Sequence, residues 1–539
     1  MRSSAETVVL IAGGGPVGLT AAIELGWRGI PAILVNERPD TAQHPKCNST
    51  NARSMEHFRR LGLAKELRAA SLPPHIVRAS AYVTSYCGIE FGRLPRPHSG
   101  WPTPEIPNNL SQMVLEQVLR RHAELQTDVE VRFGCTLKSW SADGHSDGDG
   151  IIAQVETASG EQQQISARYL LGADGASSLV RRNLGIGMTG EDGTNHRAFM
   201  GGTMLSYYIR SPQLIEASGR VPTHSTWIIN QKMRGLMFSQ DGKERWVVHY
   251  QVPPGVDWEK VDARAIVKAL LGSDVPFEII SGGPWTGGLA MVAERYQSGN
   301  VFLAGDAAHL FTPLGGMGMN TGIGDVVNLC WKIAAEHQGW AGPQLLASYD
   351  TERRPIGVRN SGFGIKCSRV MDGWVVPKNF ETDGAEGQAA RDALGAQIIV
   401  EDVPQYLSAG LQLGERYEGS PVICADDAPA PEDRWDIYTP LVRSGARAPH
   451  FWLHPELAAY DQFGQGFTLL NFGRAADAAA FEATAQLHGL PLKTLSIAET
   501  PSPYRHKQVL VRPDQHIAWH GHAPDREQAE AIINRIRGM

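Results

Sequence analysis

The sequence predicts an α/β protein whose N-terminal part is a doubly wound parallel sheet, interrupted by a β-rich insertion and followed by a smaller α/β unit. Three observations carry this. A β-branched apolar run at residues 7–12 leads at once into Gly13-Gly14-Gly15-Pro16-Val17-Gly18. Residues 200–290 alternate aromatic, β-branched and polar side chains, the period of half-buried strands. The C-terminal part alternates short apolar runs with amphipathic segments.

The chain has 539 residues, too many for a single ordinary core. Hydrophobic residues make up 42% and the formal net charge is −7, which excludes a disordered chain and a basic nucleic-acid footprint. No run of about 20 apolar residues predicts a membrane span. The short apolar run before Gly13 lacks a cleavage site, so a soluble, cytoplasmic protein is expected. Six cysteines are widely spread with no CxxC pair, which predicts free thiols rather than zinc ligands or disulfides.

Residues 7–12 read as a strand and 16–27 as a helix, with Pro16 where a missing N–H has no partner to lose. A second strand at 32–35 completes the opening of a doubly wound sheet. Residues 51–70 and 111–125 read as amphipathic helices, and 141–150 as a polar turn between antiparallel strands. Residues 169–171 and 301–304 read as buried strands, the latter followed by a Gly-rich loop and a helix from about 320. Residues 373–445 read as irregular, being rich in Pro, Gly and Asp. Then come a strand at 467–472, a helix at 475–487, a strand at 493–497, a strand pair at 509–511 and 517–519, and a last helix. The expected units are 1–190 with 286–370, an inserted sheet at 191–285 with parts of 75–110, a linker at 371–445, and 446–539.

Three loops carry chemistry. In the first, Gly13 permits the tight turn, Gly15 lets backbone approach a pyrophosphate, and Gly18 lets helix pack on strand. The helix N-terminus offers N–H groups and partial positive charge to phosphates. Glu37 ends the next strand, where a carboxylate bonds a ribose 2′-OH and repels a 2′-phosphate, so the dinucleotide here is FAD or NAD rather than NADP. The second loop is Gly305-Asp306-Ala307-Ala308-His309, leading into Thr312-Pro313-Leu314-Gly315-Gly316-Met317-Gly318-Met319-Asn320 and a helix. It makes a second anion site, and two such sites in one chain suggest one extended cofactor touched at both ends. The third is Gly172-Ala173-Asp174-Gly175, alone no more than a turn.

These loops, in this order, resemble the single-component flavoprotein aromatic hydroxylases, the family around p-hydroxybenzoate hydroxylase and phenol hydroxylase. Arg53-Ser54-Met55-Glu56, Gln112 and Tyr349…Glu352-Arg353-Arg354-Pro355 resemble further family segments. The C-terminal part resembles the thioredoxin-like domain of the phenol hydroxylase branch; without CxxC its expected role is structural or a homodimer contact. The resemblance implies a Rossmann-like FAD-binding domain with an inserted β-sheet substrate domain. It implies that Gly13, Gly15, Pro16, Val17 and Gly18 hold the FAD pyrophosphate, and Glu37 and Arg38 the adenosine side. Arg53 and Gln112 would brace the middle, Asp306 the ribityl chain or the pyrophosphate side, and Asp174 both FAD and NAD(P)H. Gly318, Met319 and Asn320 would face the flavin pyrimidine edge, and the Pro313 carbonyl the ring. The implied reaction uses NADH or NADPH and O2 to hydroxylate a small aromatic substrate through a flavin C4a-hydroperoxide. Asn48 stands where the phenol hydroxylase branch has an Asp that assists the phenol; an Asn cannot act as a base.

The substrate pocket is expected between flavin and β insertion. His224, Trp227 and Trp285 are candidate substrate contacts, and His249 and Tyr250 candidate bases or hydrogen-bond partners. A polyketide-tailoring oxygenase (epoxidation or Baeyer–Villiger type) and a non-catalytic flavoprotein are the alternative readings. No metal site is expected.

Overall fold

A computed structural model describes residues 4–96, 100–143, 150–192 and 201–539. Residues 144–149 of the expected polar turn lie outside these; the strands flanking it, Cys135–Asp143 and Gly150–Thr157, pair antiparallel.

The N-terminal sheet forms around Ser4–Ala12. This strand pairs in parallel with Ala32–Asn36 on one side and with Gln162–Gly172 on the other. Val129–Phe133 and Val301–Leu303 extend it, again in parallel. Such strands are covered on both faces, which is why Val9, Leu10, Ile11, Leu34, Leu170 and Leu171 are wholly buried or nearly so. Helices Pro16–Trp27, Gln112–Glu124 and Gly318–His337 provide the cover. The expected helix at 51–70 is two, Ala52–Arg60 and Ala64–Ala69. Between them Gly62 takes φ +81°, a left-handed conformation that ends a helix.

The second sheet has seven strands, in the order Glu278–Gly287, Gly202–Arg210, Arg245–Gln251, Arg234–Ser239, Thr223–Ile229, Val77–Val83, Glu90–Pro95. All neighbours are antiparallel except Thr223–Ile229 with Val77–Val83. One face packs into a core with Trp246, Val248, Tyr250 and Leu270; the other packs through Tyr82, Met204, Trp227 and Leu236 on the helices Pro343–Asp372 and Ala385–Glu401.

The segment expected to be irregular holds a 17-residue helix, Ala385–Glu401. Its glycines misled the reading, because they serve close approach rather than flexibility. A Cβ at Gly395 would sit 1.8 Å from the Phe91 carbonyl oxygen, and one at Gly387 would sit 1.9 Å from that of Thr382. The helix thereby lies against the edge strand Glu90–Pro95.

The C-terminal unit is a four-stranded sheet in which Phe467–Asn471 runs parallel to Leu492–Ser496 and antiparallel to Gln508–Val511, which pairs with Ile517–Gly521. It shares a core with the long helix: Trp331 and Trp340 pack with Phe467, Leu469 and Leu510. Buried charges tie the joint. Glu352 accepts both guanidinium nitrogens of Arg512 (2.6 and 2.8 Å), Lys332 Nζ (2.6 Å) and Ser420 Oγ (2.6 Å). Burial alone would raise its pKa, but Arg512 and Lys332 hold this carboxyl far below the usual carboxylate range.

Candidate active site

One cavity of about 1300 Å³ runs between the two sheets, and all three loops open onto it. It exceeds the ~1,000 Å³ upper range of single small-molecule sites, so there is room for two ligands.

The Gly13 turn is built by exclusion. A Cβ at Gly13 would lie 2.2 Å from the Ala173 carbonyl oxygen, and one at Gly18 would lie 1.9 Å from that of Gly13. Gly13 therefore joins the first and third loops, while Gly18 seats the helix and stays out of the cavity lining. Gly15 is the opposite case: nothing lies within 4 Å of its Cβ position, which points to open cavity above the Pro16–Trp27 N-terminus. Asn36, which the sequence reading passed over, accepts the Gly14 N–H at 2.9 Å and fixes the turn. Glu37 and Arg38 follow it on the cavity wall, both exposed. This glycine cradle, ending beside a carboxylate, fits a dinucleotide pyrophosphate and its ribose.

Farther along the cavity, the 20-residue helix Gly318–His337 aims its first turn into it. The amides of Gly318, Met319 and Asn320 have no intrahelical acceptor, since the first helical bond runs from Thr321 N to the Met317 carbonyl. The Asn320 side chain is otherwise engaged: it accepts from Asn51 N (2.9 Å) and donates to the Gly316 and Ser49 carbonyls. Pro313 lies exposed on the wall beside these amides. Asp306 is exposed onto the cavity, and desolvation within its walls raises the carboxyl pKa. Behind it Asp325 accepts from Gly305 N (3.2 Å), His309 (2.8 Å) and Arg353 (2.9 Å), a brace for this loop that sequence reading missed. Asp174 accepts from Val180 N at 3.1 Å through one oxygen; the other is buried without a partner. Gln112 reaches the cavity and donates to Glu116 at 2.6 Å.

Arg53 departs from expectation: it does not line the cavity. Its guanidinium donates to Glu56 (2.8 Å), Gln515 Oε1 (2.6 Å) and the Asp514 carbonyl (2.6 Å), so it is committed to the joint with the C-terminal unit. Residues 461 and 462 positions away in sequence compete for it, and no local pattern announces them.

The opposite wall is a row of side chains at one register of the second sheet. Pairing sets Trp227 beside Leu236, Leu236 beside His249, His249 beside Ser206, and Ser206 beside Gly283, and all five line the cavity. Trp285 and Phe238 complete this wall. His44 ties it to the loop after Glu37 through Ser206 and Ser281, both at 2.8 Å. His249 is buried with Nδ1 unpartnered, and burial pushes its imidazole down to about 4, so it is neutral at pH 7. Neutral, it offers one ring nitrogen as an acceptor and one N–H as a donor, and it is too weak a base to remove a phenol proton outright.

Tyr250 is a correction. Successive strand residues face opposite ways, and Tyr250 packs in the far core with Val248 and Trp246. His224 also lies outside the cavity lining. Its Nε2 donates to the Asn48 carbonyl at 3.2 Å and its Nδ1 accepts from Arg96 at 3.0 Å, which defines the neutral tautomer. Asn48 does line the cavity, with its side-chain oxygen held by Gln240 at 2.7 Å. Cross-strand neighbours such as Ser206 and Leu236 were not legible, because register is set by pairing.

None of the described helices is long and apolar enough to cross a membrane.

Residues 6–362 match the family model described as FAD binding domain, and residues 442–539 the one described as aromatic-ring hydroxylase, C-terminal. A putative polyketide hydroxylase of Streptomyces halstedii is 31% identical, over 98% of this chain and 96% of its own. Phenol 2-monooxygenase of Pseudomonas sp. (strain EST1001) is 29% identical, over 99% and 93%. Among solved structures, the rebeccamycin biosynthetic enzyme RebC with reduced flavin superposes with a TM-score of 0.90 at 31% identity, covering 100% of both chains.

Proposed function

Because this chain belongs to the FAD-dependent monooxygenases of the aromatic-ring hydroxylase family, we propose that it uses NADH or NADPH and O2 to hydroxylate a phenolic ring seated against the Trp227–His249 wall. The observation that carries this is the cavity itself: a dinucleotide cradle at one end, a helix N-terminus in the middle, and an aromatic wall facing it. When bound, FAD supplies the electron transfer and the activation of O2.

The chain's own residues do the rest. Gly15 and the Pro16–Trp27 N-terminus hold the pyrophosphate, and Glu37 the ribose. Val17, Arg38, Gln112, Asp174 and Asp306 line the cofactor's course, and the Pro313 carbonyl faces the ring. The Gly318, Met319 and Asn320 amides stabilise negative charge at the flavin edge. Trp227, Phe238 and Trp285 exclude water from the reacting face. The neutral His249 imidazole, which lines the cavity, accepts a hydrogen bond from the substrate hydroxyl and so raises the electron density of the ring. Asp306→Ala is expected to purify with much less FAD; a stoichiometric FAD content in that variant would displace Asp306 from the cofactor.

His249→Phe, which keeps a ring and removes the acceptor, is expected to lower kcat/KM about tenfold to a hundredfold, the scale of one buried hydrogen bond of ~1–3 kcal/mol. Tyr250→Phe is expected to leave it within about twofold, the hydroxyl being on the far face. Equal losses in both would reverse this assignment.

The volume of about 1300 Å³ favours one further reading, that the substrate is polycyclic, as a polyketide-tailoring enzyme would require. The test is aerobic NADH and NADPH consumption with a panel of simple and polycyclic phenols, and products weighed by mass. A phenol that accelerates consumption and gains one oxygen supports hydroxylation. A flavin that no phenol and no nucleotide bleaches counts against any catalytic reading.

A further inference from the structure

Two arginines on the cavity wall have no acidic partner. Arg78 belongs to the strand Val77–Val83, and Arg96 follows Glu90–Pro95, the strand paired with it. Both line the cavity. Arg96 donates to His224 Nδ1 (3.0 Å), Ser80 Oγ (2.7 Å) and Ser225 Oγ (2.8 Å), all neutral, and its Nε is buried without a partner. Its guanidinium lies 3.9 Å from the centroid of the Tyr406 ring, and Tyr406 accepts the Trp227 indole N–H at 2.8 Å. Arg96 therefore stands at the aromatic end of the cavity. Arg78 donates to the Pro107 carbonyl at 2.5 Å, and its Nε too is buried and unpartnered.

Among the described residues, no carboxylate makes an ion pair with either. The charges acting on Arg78 are themselves cationic, Arg68 and Arg96, and of these Arg68 is paired with Glu105 at 2.9 Å. Asp402 is the acid that feels Arg96, but its two oxygens are taken by Tyr82 and Gln405. Enclosed cations are costly unless an anion faces them. Each guanidinium offers five N–H groups in a planar fork suited to a carboxylate; both Nε–H groups are buried, and the terminal nitrogen Arg78 Nη1 has no acceptor among the described residues.

We propose that Arg78 and Arg96 form an anion subsite at the aromatic end of the cavity, which takes a carboxylate carried by the substrate. This rests on the hydroxylase reading above and narrows its substrate class to hydroxylated aromatic acids. A second source of the same chemistry is a phosphate of the pyridine nucleotide, and the experiment separates them.

The holoenzyme is titrated with 6-hydroxy-2-naphthoate and with its methyl ester, following the flavin absorbance difference spectrum, which needs no turnover. The acid is expected to bind about tenfold more tightly or better, the scale of a charge-assisted hydrogen bond. Arg78→Gln should erase that margin by weakening the acid, Arg78→Lys should keep part of it, and neither should change the KM for NADH or NADPH. FAD content of each variant reports that it has folded. Equal binding of acid and ester by the unaltered enzyme overturns the proposal and leaves hydroxylation standing. So does a loss in Arg78→Gln confined to the nucleotide KM, which assigns the subsite to its phosphate. If neither naphthol perturbs the flavin, the subsite fails, and the hydroxylase reading is decided by the phenol panel.

Discussion

Glu352→Gln is expected to be the most destabilising single change in the joint between the long helices and the C-terminal unit. Glu352 is fully buried and takes four hydrogen bonds from Arg512, Lys332 and Ser420, with Asn328 Nδ2 a further donor at 2.7 Å. Glutamine keeps the shape but leaves Lys332 without an anion and Arg512 with Asp514 alone, a loss of ~3–5 kcal/mol. For a chain of 539 residues that corresponds to a fall in Tm of about 3–5 °C. Adding Lys332→Met should recover part of it, because the second change removes the stranded charge. Scanning calorimetry of the three holoproteins measures this, and a shift of only about a degree in Glu352→Gln would show that the network is dispensable. The pH dependence has a fixed sign. A carboxyl held below its unfolded value binds fewer protons when folded, so its contribution is complete above the ordinary carboxylate range and is lost as pH falls below it.

Gly15→Ala is expected to yield a folded protein that binds FAD at least tenfold more weakly, about 1.4 kcal/mol. A methyl at Gly15 meets no protein atom within 4 Å, so the fold tolerates it, but it projects into the cradle proposed for the pyrophosphate. Gly18→Ala makes the contrast: its methyl would lie 1.9 Å from the Gly13 carbonyl oxygen and disrupt the turn itself. The ratio of flavin to protein absorbance after gel filtration, with far-UV circular dichroism as the fold control, distinguishes the two. Full flavin occupancy in Gly15→Ala would move the pyrophosphate away from this turn.

These two changes mark the limits of what could be read in advance. Gly13 to Gly18, Glu37, Asp306 and the 313–320 loop were legible because a phosphate-binding turn needs particular residue types at fixed short spacing, between a strand and a helix. His249 and Tyr250 could be named as a pair but not told apart, since alternation says that one faces the cavity and not which. Arg53 was misplaced because its partners, Asp514 and Gln515, come from the far end of the chain. The Ala385–Glu401 helix was missed because Gly387 and Gly395 read as breakers until the carbonyls they admit were in view.

The sequence by itself determined the fold class, the dinucleotide turn and the second loop opening onto a helix, all local patterns in which backbone chemistry restricts residue type. Only the tertiary structure decided that Trp227, Leu236, His249, Ser206 and Gly283 share one row, that Arg78 and Arg96 stand in the cavity without an acid, and that Glu352 clasps Arg512. The reason is physical: strand register and the pairing of buried charges depend on which distant segments pack together, and packing depends on the shape of the whole core rather than on any stretch of the chain.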